Sequence, residues 1–379
     1  MEMQDLWGQI LILAGASKTR KNQDLTPKMR WIALLTAFVV LHPIQAGTWA
    51  FAQDAPAAPA PPAPSVAVEV PLSFSEWLTA LTEEARGKGF SDGLIEDTLA
   101  GLQPLERVIQ SDRSQAELNP GFTRYARARL TPVMINRGRE LLVHHKTLLE
   151  RAEKQFGVQP RFLVAFWGIE SRYGRIQGST PVFQALATLA WEPRRATYFR
   201  SELFNALTMV QRGLIEAGTM TGSWAGAMGQ TQFMPSSYLR FAVDFDADDR
   251  RDIWKSTPDT LASMANYLKG FGWKNDETWG REVTISADAQ DVIARTIPKR
   301  TEGCYAQRNM TEPRPLAQWQ KLGVRKIDGR ALPKVDIEAG LVDVGERKFL
   351  VYSNYDAIIS YNCAHYYALT IGLLADRLK

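Results

Sequence analysis

A single acidic residue, Glu170, interrupts the apolar stretch between Pro160 and Gly174. Proline suits the first position of a helix, where its missing N–H has no partner to lose, and glycine suits a left-handed residue after the last turn. Spacings of three, four and seven residues place the carboxyl group on one helical face with three apolar side chains, namely Leu163, Phe166 and Trp167. We therefore expect Glu170 to point towards an apolar interior.

A carboxyl group in apolar surroundings is costly to ionise, so its pKa rises, and a raised pKa suits a general acid. The alternative is a structural glutamate that is paired with an arginine or hydrogen-bonded to the backbone, because such networks also perturb pKa values. Residues 160–174 by themselves leave both interpretations of Glu170 open.

A second informative stretch, GSWAGAMGQTQFMPSSY, occupies residues 222–238. Its glycines allow close backbone approach and unusual dihedral angles. Amide and aromatic side chains accompany them and would suit a sugar site, by hydrogen bonding to hydroxyl and acetamido groups and by stacking on sugar rings: Trp224, Gln230, Gln232 and Tyr238. The alternative is a glycine-rich turn between helices that carries incidental polar residues.

An acidic loop follows. Positions 1, 3, 5 and 9 of an EF-hand-type calcium loop are matched by Asp244, Asp246, Asp248 and Asp252, and a longer loop would be closed by Asp259. Two positions depart from that pattern, because the sixth is Asp249 instead of glycine and the twelfth is Lys255 instead of glutamate. The loop predicts either a structural calcium site or a solvated acidic turn neutralised by neighbouring arginines.

Helical periodicity predicts the elements that must position these residues. Apolar side chains recur at helical spacing in residues 73–102, 131–156, 180–190, 196–212, 257–270 and 368–378, whereas residues 103–130 are polar. Short strand-like runs occur only beyond residue 280, at 281–285 and within 325–353. The order predicts a mainly α fold, with an all-α core and a small β-containing C-terminal part.

Composition limits the function classes. The chain has 379 residues, of which 45% are hydrophobic and 23% charged, so it is neither disordered nor fibrous. Residues 1–52 contain five basic and three acidic residues, which leaves a net charge of +2 for the remainder and no argument for nucleic-acid binding. With four histidines in the chain, a multi-histidine metal site is not expected.

The N-terminal region predicts export. Lys28 and Arg30 precede an apolar run at residues 31–41, and a small-x-small cleavage site ends at Ala52. The run is too short for a comfortable membrane span, and an uncleaved anchor is the alternative to a signal peptide. We expect residues 1–52 to be an extension and signal peptide starting at Met29, and residues 53–70 a Pro/Ala-rich linker.

This interpretation predicts a folded region at residues 71–379 and a periplasmic location. No lipoprotein anchor is expected, because no cysteine lies close after the apolar run. The chain contains two cysteines, Cys304 and Cys363, too few for a thiolate metal cluster. In an exported protein they form either one disulfide or two structural thiols, and the sequence leaves this choice open.

Taken together, these stretches resemble the membrane-bound lytic murein transglycosylase B family of exported peptidoglycan-cleaving enzymes. The resemblance extends over about residues 73–377 in the family's order, and it is carried by residues 166–174, 192–196 and 222–238, the acidic loop, and Tyr361 with Asn362. It implies a lysozyme-like helical catalytic core at residues 71–379, with Glu170 as the single catalytic acid and base.

The resemblance also implies residue roles. Contacts with the glycan would come from Ser223, Gln232, Tyr267, Tyr361, Asn362 and Tyr367, and contacts with peptide or muramyl groups from Arg194 and Arg195. No cofactor would be required for the chemistry, and a structural calcium is the least secure transfer because the acidic loop is altered. The implied partner is the peptidoglycan glycan strand, bound by a monomer; complexes with other cell-wall enzymes are a further possibility.

The implied reaction cleaves the β-1,4 bond between N-acetylmuramic acid and N-acetylglucosamine by attack of the muramic acid C6 hydroxyl, giving 1,6-anhydro products. Ordinary glycosidases use two carboxylates, and the other site-like stretches supply no second one, so participation of the substrate acetamido group would replace it. Two alternatives stay open at this point: a lysozyme-type hydrolase that admits water, and a non-catalytic peptidoglycan-binding protein.

Overall fold

Helices dominate the part of the protein that a computed structural model describes, residues 72–114 and 121–379. These residues belong to one compact unit. The predicted signal peptide and linker at residues 1–52 and 53–70, with the start at Met29, lie outside the described residues. The predicted mainly α class is confirmed.

Within residues 72–114 and 121–156, six helices precede the stretch that carries Glu170: α1 (Phe74–Gly87), α2 (Asp92–Leu99), α3 (Glu106–Ser114), α4 (Phe122–Arg129), α5 (Pro132–His144) and α6 (Lys146–Phe156). Helices α1, α2 and α5 are capped by Ser73, Ser91 and Thr131, whose side chains each accept a hydrogen bond from a backbone N–H of the first turn. The polar residues 103–130, for which no helix was predicted, contain α3 and α4. The prediction of one helix at residues 131–156 was wrong, because it breaks at His145 into α5 and α6.

Helices α3 and α4 were not predicted from hydrophobic periodicity because their sequences are polar. Each buries only three residues and exposes most of the others, so no continuous apolar stripe marks them in the sequence. Helices with few buried residues are suited to cover the surface of a larger core. Helix α4 does so by packing against α16 (His365–Arg377).

The next helix, α7 (Pro160–Ser171), lies at the centre of the main hydrophobic core. It packs against α5, α6, α16 and α11 (Thr257–Gly270). Every residue from 162 to 168 is buried. The helix is therefore buried on all sides, and not only on the face predicted from the Glu170 spacing, because neighbouring helices surround it.

Two further helices, α8 (Val182–Trp191) and α9 (Ala196–Gln211), pack against each other next in the chain. The predicted start of α8 at Thr180 was wrong, because Thr180 and Pro181 form strand β1 (Thr180–Pro181), which pairs antiparallel with β2 (Thr221–Gly222). The short helix α10 (Pro235–Phe241) follows the glycine-rich stretch and packs on α9.

The C-terminal part contains the predicted β structure. A five-stranded antiparallel sheet has the order β4-β6-β7-β3-β5, with strands β3 (Gly280–Thr284), β4 (Arg314–Pro315), β5 (Arg325–Lys326), β6 (Glu338–Asp343) and β7 (Lys348–Val351). Helices α12 (Ala287–Thr296), α13 (Tyr305–Arg308) and α14 (Leu316–Lys321) accompany it. Trp319, Leu341 and Leu350 belong to a second, smaller core on this sheet.

The chain returns to the main core through α15 (Ser353–Tyr361) and α16. Cys304 and Cys363 form a disulfide with a Cα–Cα distance of 6.3 Å, which joins the segment before α13 to the loop between α15 and α16. This decides the choice that the sequence left open. Within residues 72–114 and 121–379, none of the helices is long and apolar enough to cross a membrane.

Candidate active site

Glu170 occupies the last turn of α7, where the helix ends in an unusual run of left-handed residues. The predicted left-handed end at Gly174 is preceded by two non-glycine residues with positive φ, Arg172 at 51° and Tyr173 at 60°. Such residues cost roughly 1 kcal/mol or more each. This strained turn holds the chain immediately after Glu170 in a fixed path.

The carboxyl group of Glu170 is buried, with 7% of the residue exposed. The Tyr367 hydroxyl of α16 donates a hydrogen bond to Glu170 Oε1. Burial raises the pKa of Glu170 to about 8, and the Tyr367 hydrogen bond offsets part of that rise. The carboxyl group is therefore mostly protonated at neutral pH.

Neither structural alternative for Glu170 is found among the described residues. No lysine or arginine there forms an ion pair with its carboxylate, and its hydrogen-bond donor is a tyrosine side chain instead of a backbone N–H. No second carboxylate contributes to its pKa either. Glu170 is a solitary buried acid, which is the state expected of a general acid.

Aromatic rings form the wall next to this carboxyl group. The Tyr361 ring lies 4.9 Å from Phe166 and 4.6 Å from Tyr267, measured between centroids. Both tyrosine hydroxyls are bound to backbone carbonyls, Tyr267 to Ser360 O at 2.6 Å and Tyr361 to Thr231 O at 2.6 Å. Their rings, and not their hydroxyl groups, are what these two predicted residues present to the site.

The glycine-rich stretch folds back on itself against α7. Ser223 N donates to Ala227 O at 2.8 Å, and the Ser223 hydroxyl oxygen accepts the N–H groups of residues 225 and 227. A Cβ at Gly222 would lie 2.2 Å from Ala227 O, so only glycine fits there. Ser223 therefore closes the turn that the glycine makes possible.

Gln230 and Gln232 differ in what their amides do. Gln230 accepts the Trp167 indole N–H at 2.7 Å and donates to Trp254 O at 3.0 Å, so both ends of its amide fix the loop to the core. The Gln232 amide nitrogen donates to Gly229 O and Gln177 O. The Gln232 amide oxygen accepts no hydrogen bond from the described residues. This oxygen is therefore the part of Gln232 that is available to a ligand.

Asn362 is the most unusual polar group of the site. Only 1% of the residue is exposed, yet neither Nδ2 nor Oδ1 has a hydrogen-bond partner among the described residues. Buried amides are nearly always paired, because an unpaired one loses the hydrogen bonds that it had with water. An amide that lacks both partners next to Tyr361 is consistent with the predicted contact to a ligand.

Arg194 and Arg195 meet a partner that the sequence did not indicate. Both guanidinium groups bind the carboxylate of Asp112, on α3, whose side chain is 2% exposed. The Arg195 side chain is 6% exposed, whereas that of Arg194 is 37% exposed. Arg195 is therefore part of a buried ion pair, and Arg194 is the one of the two that reaches solvent.

The acidic loop brings four of its five candidate ligands together. Carboxylate oxygens of Asp244, Asp246, Asp248 and Asp259 lie within 4.8 Å of one another. Asp252 is not among them, because its carboxylate accepts the backbone N–H groups of Trp254 and Lys255. Asp252, the fifth predicted ligand, lies outside this cluster.

The departure at the sixth loop position is accommodated by the backbone. Asp249 takes φ of 65°, the left-handed conformation that glycine would otherwise supply. Burial raises the pKa of Asp259, and Asp244 and Asp246 raise it further. Four convergent carboxylates with such mutual repulsion form a donor set that suits calcium, which prefers oxygen ligands.

With the site described, comparison with known proteins is informative. Residues 73–376 match the family described as the transglycosylase SLT domain. The chain belongs to this family. It is a lytic transglycosylase, an enzyme that cleaves peptidoglycan, and the chemistry of lytic transglycosylases needs no cofactor.

Its relatives agree in sequence and in fold. Membrane-bound lytic murein transglycosylase B of Escherichia coli (strain K12) is 30% identical over 303 residues, which are 76% of this chain and 78% of the relative. SltB3 of Pseudomonas aeruginosa, solved in complex with NAG-anhNAM-pentapeptide, is 38% identical with a TM-score of 0.72, covering 80% of this chain and 79% of that one. The lysozyme-like fold implied by the sequence resemblance is confirmed.

A third relative comes from Escherichia coli. The lytic transglycosylase Slt35 of Escherichia coli, solved in complex with calcium, is 27% identical with a TM-score of 0.65, covering 80% of this chain and 92% of that one.

The transglycosylase site also contains a residue that the sequence analysis missed. Tyr125 of α4 is buried, and its ring lies 5.6 Å from that of Tyr366. Burial raises the pKa of Tyr125, and the nearby Glu170 contributes to the rise. The available signal was the spacing of Phe122 and Tyr125 by three residues, which was hidden in the polar segment.

Proposed function

We propose that Glu170 is the single catalytic group of this lytic transglycosylase and acts first as general acid and then as general base. The observation that carries the proposal is its solitary, buried carboxyl group, whose pKa is raised to about 8 by burial. A group with this pKa is protonated when the substrate binds near pH 7, and its carboxylate is then basic enough to take the proton back.

The reaction proceeds in two balanced steps. Glu170 donates its proton to the glycosidic oxygen between N-acetylmuramic acid and N-acetylglucosamine, the bond from C1 to that oxygen breaks, and the acetamido oxygen of the muramic acid bonds to C1. The Glu170 carboxylate then removes the proton of the C6 hydroxyl, whose oxygen attacks C1 and displaces the acetamido oxygen. The 1,6-anhydro product forms without water, and Glu170 is protonated again.

The surroundings of Glu170 support this route over hydrolysis. The Tyr361 ring lies within 5 Å of both the Phe166 ring and the Tyr267 ring beside the carboxyl group, and such a wall restricts access of water to the reacting carbon. No second carboxylate is present near Glu170 among the described residues to activate a water molecule. Substrate participation replaces the second carboxylate of ordinary glycosidases.

The remaining predicted residues bind and orient the glycan. Asn362, with both ends of its amide unpaired, and the Gln232 oxygen supply hydrogen bonds to acetamido and hydroxyl groups. Ser223 closes the turn, and Tyr367 positions the Glu170 carboxyl group. Arg194 contacts a peptide or muramyl group, while Arg195 acts through its ion pair with Asp112.

Two further parts of the proposal concern stability and location. Asp244, Asp246, Asp248 and Asp259 hold a calcium ion that stabilises the loop and takes no part in the chemistry. The protein works in the periplasm as a monomer after export by its N-terminal signal peptide, a location supported by the chemistry of its substrate. Peptidoglycan glycan strands are its partner, and complexes with other cell-wall enzymes are compatible with this role.

Digestion of purified peptidoglycan tests the proposed reaction. The wild-type protein should release anhydro-muropeptides, each lighter by one water than the corresponding hydrolysis product in mass spectrometry. Glu170→Gln should reduce their release by at least about a thousandfold, because neither proton transfer remains. Reducing-end muramic acid as the sole product would identify a hydrolase, and unchanged release by Glu170→Gln would exclude Glu170.

A matched control comes from another buried glutamate. Glu202 on α9 is 1% exposed, and its carboxylate accepts hydrogen bonds from Ser236 N and Oγ. Glu202→Gln should keep its transglycosylase activity, even if it lowers the melting temperature. If both variants lost activity equally while remaining folded by circular dichroism, the assignment of the catalytic role to Glu170 would be wrong.

A further inference from the structure

A second concave surface lies outside the Glu170 site. A cleft of about 1550 Å³ is bounded by α4, α12 and the hairpin of β6 and β7, and its lining residues do not include Glu170. The rings of Phe122, Tyr305 and Tyr366 contribute to its walls. A cleft of this size is large enough for several amino-acid residues of a ligand.

The cleft adjoins the catalytic site through consecutive residues of α16. Tyr366 lines the cleft, and Tyr367, next in the chain, donates its hydroxyl hydrogen bond to Glu170. The Tyr366 ring also contacts Tyr125, whose pKa responds to Glu170. The helix that lines the cleft through Tyr366 therefore also reaches the catalytic carboxyl group through Tyr367.

Three cationic side chains that have no ion pair among the described residues line the cleft. Arg124 and Arg127 are exposed and lie three residues apart, so they share one face of α4. Lys299 lines the same cleft and is also exposed. The described residues provide none of these three with an ion pair, whereas Lys348 pairs with Asp343 at 3.2 Å.

The cleft also contains carboxylates that could bind an amine. Asp291 is exposed and has no ion pair among the described residues, and Glu346 accepts a hydrogen bond only from the neutral Thr123 hydroxyl at 3.2 Å. His365 adds no charge near neutral pH, because burial lowers its pKa to about 4. Five charged groups of the cleft thus have no ion pair among the described residues: three are cations and two are carboxylates.

We propose that this cleft binds the peptide stem attached to the lactyl group of muramic acid. The inference rests on the proposed function, because the stem is part of the same substrate whose glycan reaches Glu170. A stem peptide carries carboxylates that match Arg124, Arg127 and Lys299, and its diamino acid carries an amine that matches Asp291 or Glu346. The cleft makes the enzyme selective for glycan that bears peptides.

Charge reversal with two substrates tests the inference. Arg124→Glu/Arg127→Glu should raise KM for peptide-bearing glycan strands roughly tenfold, because two attractive contacts become repulsive. Its kinetics should equal those of the wild type on the same strands after an amidase has removed the stems. An equal loss on both substrates, or no loss on either, would overturn the proposed peptide site.

The control is a matched double reversal outside the cleft. Arg295 and Lys321 are exposed, do not line the cleft, and have no ion pair among the described residues. Arg295→Glu/Lys321→Glu makes the same change in net charge and should behave as the wild type on both substrates. If the control shows the same selective loss, long-range charge and not the cleft recognises the peptide, and the inference is wrong.

The same assay separates this inference from the proposed function. Anhydro products from both substrates, formed by a wild-type enzyme with no preference for peptide-bearing strands, would reject the peptide cleft and keep the proposed reaction. Absence of anhydro products from both substrates would reject the proposed reaction itself and, with it, the inference that depends on it.

Discussion

At the scale of single residues, the ionisation of Glu170 connects structure with stability. The fold buries this carboxyl group without a cation and so raises its pKa to about 8 from an ordinary value of 4.5. Glu170 therefore destabilises the folded state at any pH where its carboxyl group is ionised in the unfolded chain but protonated in the folded one. We therefore expect the protein with this buried carboxyl group to be less stable than a variant without the ionisable group.

The pH dependence of stability follows from this shift. Below pH 4.5 both states are protonated and Glu170 has no effect; between pH 4.5 and 8 the unfolded state alone ionises, so stability falls as the pH rises. Glu170→Gln removes the effect. We expect its free energy of unfolding to exceed that of the wild type by about 3 kcal/mol at pH 7 and to match it near pH 4.

Urea unfolding at a series of pH values measures the difference. Glu96 is exposed and has no hydrogen bond or ion pair among the described residues, so Glu96→Gln should follow the wild type at every pH. A Glu170→Gln variant that is no more stable than the wild type at pH 7 would show that the carboxyl group is ionised at little cost in the folded protein.

At the scale of elements, the loop between α15 and α16 carries much of the site. Asn362 and Cys363 are adjacent in it, and the disulfide joins this loop to Cys304, 59 residues earlier in the chain. Ala306 N also donates to Cys363 Sγ at 3.3 Å. The disulfide therefore fixes the loop that carries Asn362, whose side-chain amide has no hydrogen-bond partner among the described residues.

Removal of the disulfide should affect both stability and activity. A crosslink that closes a loop of this length contributes about 2–4 kcal/mol, so Cys304→Ala/Cys363→Ala should lose that amount in urea unfolding. We expect peptidoglycan turnover to fall as well, because Asn362 loses its fixed position. Reductant should lower the wild-type melting temperature and leave that of the variant unchanged; equal sensitivity of the two proteins would contradict the prediction.

At the scale of the whole molecule, the main core, the sheet and the acidic loop have separate tasks. The core surrounds α7 and its carboxyl group, whereas the smaller core supports the sheet that forms one side of the charged cleft. The acidic loop leads into α11, whose first turn supplies Asp259, and α11 packs directly against α7. Stabilisation of this loop by an ion would therefore extend to the helices around the site.

Calcium should raise the melting temperature through that loop. At a calcium concentration 100 times the dissociation constant, the gain is about 2.7 kcal/mol, measured by thermal unfolding with calcium or with a chelator. Asp246→Asn/Asp248→Asn should abolish the shift, since both side chains belong to the carboxylate cluster. Asp252→Asn is the control and should keep it; loss of the shift in this control would restore Asp252 as a ligand.

Local patterns in the sequence determined a large part of this protein. Caps and spacing predicted most of the helices, and the position of Glu170 on an apolar helix predicted its burial, because helical geometry depends on neighbouring residues. The acidic loop was also recognisable from spacing alone. Helices α3 and α4 were missed, since their few buried residues leave no apolar stripe.

Tertiary structure decided what Glu170, Asp252 and the cysteines do. The hydrogen-bond partner of Glu170 is Tyr367, which lies 197 residues away in the chain, so the sequence around Glu170 could not show whether its partner is a cation or a tyrosine. The disulfide, the Asp112 pair of Arg194 and Arg195, and the exclusion of Asp252 from the carboxylate cluster are likewise contacts or orientations set by packing. A sequence pattern fixes which face a side chain occupies, but only the folded chain brings distant partners to that face.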